Sequence, residues 1–178
     1  MHGHACEYLI QYLGPGSRVL DIGSGSGYLT HVIANLVAES STSGGSKGQV
    51  IGVDHIQELV TLAHDNMNKS EEGRELLATE KVKFIKADGR CGWPEGAPYD
   101  AIHVGAAAAE LHPLLVEQLR APGRMFIPVN AEDEHGTLSS AAFGGGQHIW
   151  VVDKKEDGSI HKEKVFQVSY VPLTDPPK

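Results

Sequence analysis

A chain of 178 residues, 40% hydrophobic and 21% charged, is long enough for one domain with a sizeable core, which excludes a disordered or fibrous chain. Fifteen Lys and Arg against 23 Asp and Glu give a net charge of −8, and this argues against nucleic-acid binding, which needs clustered basic residues. No apolar run approaches the ~20 residues that span a bilayer, the opening residues lack a signal-peptide pattern, and Cys6 and Cys91 form no CxxC motif, so a reduced, cytoplasmic protein is expected.

In chain order, residues 4–13 predict a helix with Ala5, Tyr8, Leu9, Tyr12 and Leu13 on one face, ended by Gly14-Pro15-Gly16. Residues 18–22 form a short apolar strand and residues 23–27 a glycine loop. The next helix carries Leu29, Val32, Ile33, Leu36 and Val37 at helical spacing, then gives way to a flexible Ser/Gly-rich insertion at about 39–48. A second strand, 49–54, precedes a helix with Ile56, Leu59, Val60 and Ala63 aligned. Residues 66–80 have no sustained period and are expected to be a helix end and a loop. Residues 81–87 alternate as a third strand, and 99–104 form a fourth. Pro113 suits the first turn of a helix bearing Leu114, Leu115 and Leu119, and 124–129 are a fifth strand. Residues 136–143, 148–154 and 160–171 are expected strands, with Gly144-Gly-Gly146 between the first two and Glu156-Asp-Gly158 as a hairpin turn. Alternating strands and helices followed by a β-rich tail predict a single α/β domain over 1–178, with a mostly parallel, doubly wound Rossmann-like sheet and an antiparallel C-terminal edge.

Gly23, Gly25 and Gly27 lie between a strand and a helix, where glycine permits a sharp turn and close approach of a ligand. The dinucleotide fingerprint GxGxxG would need a further glycine where Tyr28 stands, which disfavours a nicotinamide-dependent dehydrogenase. Asp21, two residues before the loop, suits a cationic ligand such as the ammonium of S-adenosylmethionine better than a pyrophosphate. Asp54 ends the second strand, where doubly wound folds place a carboxylate on ribose hydroxyls, and Asp88 ends the third, where it could accept from an adenine amino group. Three acids at neighbouring strand ends describe an adenosine-shaped site. Ten histidines show no HxxxH or HExxH spacing, so no metal site is expected. His103 reads as a satisfied core residue, Trp93 and Trp150 as packing residues, and Cys6 as lying beside the inward helix face without a base partner.

Val19-Leu-Asp-Ile-Gly-Ser-Gly-Ser-Gly-Tyr28, Val50-Ile-Gly-Val-Asp-His55, Ala87-Asp-Gly-Arg90, Tyr99-Asp-Ala-Ile-His-Val-Gly-Ala-Ala107 and Tyr170-Val-Pro-Leu-Thr-Asp175 follow one another in this order. Together they closely resemble the protein-L-isoaspartate O-methyltransferase family over nearly the whole chain. The first motif is common to many methyltransferases, whereas the last two are specific to this family. The resemblance implies a class I methyltransferase fold that binds S-adenosylmethionine along Gly23, Ser24, Gly25, Ser26 and Gly27, with ribose on Asp54 and adenine near His55, Asp88, Gly89 and Arg90. It also implies that His2 and Thr174 lie near the cofactor and that Val104, Gly105 and Ala106 lie beside the isoaspartyl substrate. The expected partners are isoaspartyl proteins and peptides, with no nucleic acid and no membrane, and the expected state is a monomer.

In the family, a Ser-Ala-Pro-His stretch stands just upstream of the residues matching Met1-His2, and its serine is the one assigned an active-site role. No counterpart stands in this sequence, so no catalytic side chain is assigned. The corresponding expectation is a chain that binds the cofactor while transferring methyl groups poorly.

Overall fold

The computed structural model describes residues 2–38, 48–130 and 146–173. Helix α1 (His2–Leu9) continues as a 3-10 turn over Ile10–Tyr12 and leads into strand β1 (Arg18–Ile22). The order is then α2 (Tyr28–Val37), β2 (Gln49–Asp54), α3 (Gln57–Met67), α4 (Glu71–Ala78), β3 (Val82–Lys86), β4 (Tyr99–Val104), α5 (Pro113–Gln118), β5 (Leu119–Asn130), β6 (Gln147–Lys154) and β7 (Ile160–Val168). They build one seven-stranded sheet in the order β3-β2-β1-β4-β5-β6-β7. The first five strands run parallel, and β6 and β7 are each antiparallel to the strand before them. This is the expected α/β architecture with its antiparallel edge. Chain order reverses between β1 and β4, and the crevice outside the carboxyl ends at such a point is where open α/β sheets hold ligands.

Both faces of the sheet are covered, so the central strands are apolar along their length: Val19, Leu20 and Ile22 of β1 are all buried. On one face Leu9, Ile33, Met67 and Phe126 join α1 to α4 to the sheet. On the other, Tyr99, Ile102, Leu115 and Met125 pack beneath α5 and the turns at 89–96. Arg124 docks α1 at its far end: it donates to the Tyr8 carbonyl at 3.0 Å while its fork grips Asp153 at 2.6 and 2.9 Å. Gln118 fixes the turn after β3, with Nε2 donating to the Cys91 carbonyl (2.7 Å) and Oε1 accepting from the Trp93 amide (2.8 Å).

Three details depart from the sequence expectation. Residues 71–78, taken for loop, are helix α4, started by Ser70, whose hydroxyl accepts from the Gly73 amide at 3.0 Å. Leu119 belongs to β5 rather than to the preceding helix, because it pairs with Tyr99 across the sheet. Strand β7 ends at Val168, and the chain beyond it crosses the sheet end to pair with Ala107. The expected strand at 136–143 and the insertion at 39–47 lie outside the described residues.

Candidate functional site

The glycine loop forms where β1 ends. Gly23, Gly25 and Gly27 have φ of +74°, +53° and +78°, a region that side chains with a Cβ rarely adopt. The Gly23 and Ser24 amides donate to the Val53 carbonyl at 2.8 and 3.1 Å, tying the loop to β2. From the other side, the Gly105 amide donates to the Ile22 carbonyl at 2.7 Å, and a Cβ on Gly105 would stand 3.0 Å from the Gly23 carbonyl oxygen. Two backbone turns therefore touch without side chains between them. Two cavities flank that contact, and Gly23, Gly25 and Gly105 line both.

The first cavity, about 220 Å³, is walled by Val53, Asp54, His55, Ile56, Leu59, Gly89, Ala106 and Leu173. Asp54 is 6% exposed; its Oδ2 accepts from the Gly25 amide (3.1 Å) and its Oδ1 from the Ile56 amide (3.0 Å). The same carboxylate thus holds the glycine loop and the start of α3, and each oxygen keeps a further lone pair for a ligand. A flat wall is provided by Gly89, where a Cβ would meet Ile22 Cγ2 at 2.4 Å. A strap of residues 171–173 closes the rim: Ala107 donates to the Val171 carbonyl (2.8 Å) and accepts from the Leu173 amide (2.7 Å). Gln147, 8% exposed, holds the strap's root, accepting from the Tyr170 amide and donating to its carbonyl at 3.1 Å.

The second cavity, about 180 Å³, lies between α1, α2 and the sheet, lined by His2, Asp21, Ser24, Ser26, Tyr28, His103 and Tyr170. His2 packs its ring 5.4 Å from that of Tyr28. Asp21 is 1% exposed and doubly engaged: Oδ2 accepts from Thr30 Oγ1 at 2.6 Å, and Oδ1 pairs with His103 Nδ1 at 2.8 Å. Burial pushes the Tyr170 hydroxyl up from its ordinary pKa. Burial and then the Asp21 charge do the same to the Cys6 thiol, so Cys6 is no activated nucleophile.

Most of the residues expected from the sequence thus converge, with three corrections. Asp88 and Arg90 line neither cavity; they grip each other, Nη2 to Oδ2 at 2.6 Å and Nε to Oδ1 at 3.0 Å, and this pairing holds the Asp88 carboxyl below its usual range. Gly27 also faces away, toward Phe84 and Ala63. Val104 has its side chain wholly in the core, 0% exposed, because β4 is covered on both faces, so only its backbone could meet a substrate. Asp21 lines the second cavity as expected, with one protein partner on each oxygen, as in Asp54. Thr174 lies outside the described residues, although Leu173 before it lines the first cavity.

His103 was missed as a site residue, and a signal for it exists: Asp21-Ile-Gly23 and His103-Val-Gly105 share one spacing on neighbouring strands. Ile56, Leu59 and Leu173 were missed as well, because apolar cavity walls and core residues look alike in sequence. Among the described residues, no group of three or more His, Cys, Asp or Glu side chains could hold a metal ion.

Comparison with known proteins gives a consistent family. The model of the family described as Protein-L-isoaspartate(D-aspartate) O-methyltransferase (PCMT) matches residues 1–178. Protein-L-isoaspartate O-methyltransferase of Triticum aestivum is 44% identical over 174 residues, which cover 98% of this chain and 66% of that protein. Protein-L-isoaspartate O-methyltransferase 2 of Arabidopsis thaliana is 44% identical over the same share of this chain and 50% of its own length. The chain thus spans between half and about two thirds of these curated relatives. A crystal structure from Plasmodium falciparum, described as a protein-L-isoaspartate O-methyltransferase in complex with S-adenosyl-L-homocysteine, superposes with a TM-score of 0.79 at 32% identity, covering 98% of this chain and 73% of that one. A match over all 178 residues, joined to agreement of the sheet itself, means that the chain belongs to the protein-L-isoaspartate(D-aspartate) O-methyltransferase family.

Proposed function

We propose that the chain transfers a methyl group from S-adenosyl-L-methionine to the free carboxylate of L-isoaspartyl residues in damaged proteins and peptides, the first step of their repair. The observation that carries this proposal is the pair of cavities joined at a wall of glycines, with Asp54 buried at the end of β2. The residues fit the cofactor on one ground in particular: Ser24, which lines the second cavity, has its Oγ buried with no partner among the described residues. A buried hydroxyl without a partner is costly unless a ligand completes it.

Asp54 is the acceptor for the ribose hydroxyls, His55, Ile56, Leu59 and Leu173 enclose adenine, and the second cavity receives the methionyl end beside Asp21, Ser24, Ser26 and His2. Asp88 and Arg90 act from the rim by shaping the Gly89 wall, and Thr174, the next residue in sequence after Leu173, is assigned to the cofactor by the family resemblance. Gly105 and Ala106, with the Val104 backbone, stand where the substrate carboxylate enters. When bound, the cofactor supplies an already activated methyl on a sulfonium. A carboxylate is ionised at neutral pH, so the chain needs no general base. What its residues contribute is alignment, which can be worth effective molarities of ~10⁵ M or more, and exclusion of water by the apolar walls and the strap.

The substrate is protein, in keeping with the acidic chain and its lack of basic clusters. We take the enzyme to be a monomer of the reducing cytoplasm, a reading that starts from a sequence with only two cysteines and no CxxC motif. The test is transfer of labelled methyl to paired peptides that differ only in an isoaspartyl or normal aspartyl linkage. Base-labile label on the isoaspartyl peptide alone is the expected result; equal labelling of both would overturn the substrate assignment. Cofactor binding without transfer to either would support the narrower reading, a cofactor-holding chain with poor transfer.

A further inference from the structure

We propose that His103 is the acceptor for the ammonium of the cofactor's methionyl group, with the Asp21 charge behind it; the assignment rests on the S-adenosylmethionine reading above. β1 and β4 are parallel neighbours in a register that sets Asp21 directly beside His103. Both side chains are almost fully buried, at 1% and 5% exposure, and both line the second cavity. A carboxylate oxygen accepts, so the 2.8 Å contact places the ring proton on His103 Nδ1. In the neutral ring this leaves Nε2 as an acceptor, and among the described residues it has no partner.

The ring cannot turn away from the cavity easily. It stacks on Phe126 with centroids 6.1 Å apart and planes 17° from parallel, while Thr30 Oγ1 holds the other Asp21 oxygen at 2.6 Å. Its Cε1, the carbon between the two ring nitrogens, lies 3.5 Å from where a Gly105 Cβ would stand, and His103 and Gly105 both line the cavity. No Lys or Arg is among the described residues lining this cavity, and its buried formal charge is that of Asp21. Such a site selects a cation. The hydrogen bond from Nδ1 to Asp21 makes Nε2 a better acceptor, as it does when imidazole ligates a metal. Ser24 Oγ, buried and unpartnered, remains as a donor for the neighbouring carboxylate of the same group.

The test compares three ligands by calorimetry on the unmodified chain and on His103→Asn, whose amide can still donate to Asp21 but has no atom in the place of Nε2. The ligands are S-adenosylhomocysteine, S-adenosyl-3-thiopropylamine (ammonium without carboxylate) and 5′-methylthioadenosine (neither). The variant should bind the first two about tenfold or more weakly, and 5′-methylthioadenosine within about twofold of the unmodified chain. Equal weakening of all three, or no weakening, would overturn the assignment. Weakening for S-adenosylhomocysteine alone would move the contact to the carboxylate and overturn it too. Should the unmodified chain bind none of the three, the cofactor reading itself falls, and this assignment with it. A readout that needs no variant is the ¹⁵N resonance of His103 Nε2, which should shift on adding S-adenosyl-3-thiopropylamine and stay in place with 5′-methylthioadenosine; the reverse would count against the proposal.

Discussion

Asp54 and Asp21 show how much a single side chain can carry. Each was legible as an acid at a strand end, and each bonds more protein than its position in the sequence suggests. Asp54 holds the Gly25 and Ile56 amides, so the group that would bind ribose also sets the shape of the loop beneath it. The shared spacing of Asp21-Ile-Gly23 and His103-Val-Gly105 hints at the partner of Asp21, but only the register of the assembled sheet sets His103 opposite it. Gly27 makes the complementary point. It was assigned to the ligand, whereas its φ of +78° and its packing give it a folding role: an added Cβ would lie 2.9 Å from Phe84 Cζ and 3.0 Å from Ala63 Cβ. Gly27→Ala should therefore destabilise the chain by about 1–3 kcal/mol, a drop of several degrees for a chain of this size. A thermal melt reads this directly, and an unchanged midpoint would show that α2 can shift to accept the methyl.

At the scale of elements, the strap from Tyr170 to Leu173 does most to turn an open crevice into an enclosed one. It is held by a single side-chain amide at its root and by Ala107 along its length. Gln147→Ala removes a donor and an acceptor at once and leaves the Tyr170 backbone groups unpaired at a partly buried site, which costs about 1–3 kcal/mol. The expected outcome is faster amide exchange at Val171 and Leu173, together with weaker binding of S-adenosylhomocysteine, since Leu173 lines the first cavity. Exchange rates matching those of the unmodified chain would mean that Ala107 alone secures the strap. The strap was hidden in the sequence because no Gly or Pro stands between Ile160 and Val171, so nothing local marks the point at which β7 stops pairing. Helix α4 was hidden differently. Gly73 and a run of charged residues blur its period, although Ser70 followed by Glu71 and Glu72 is a helix-start pattern.

At the scale of the whole molecule, the alternation of apolar segments already implied the parallel sheet and its antiparallel edge, and five sequence motifs implied the family. What only the folded chain supplies is the division of the crevice in two, by the contact of Gly105 with the glycine loop. On the proposed function, that division would seat one cofactor, anchored at Asp54, across the switch point between β1 and β4. Calorimetric titration of S-adenosylhomocysteine into the unmodified chain and into Asp54→Ala tests it most directly. The account predicts one site per chain, with affinity lowered in the variant by about 1–3 kcal/mol as the ribose hydroxyls and the loop amide lose their acceptor; no binding to the unmodified chain, or equal affinity for the two, would contradict it.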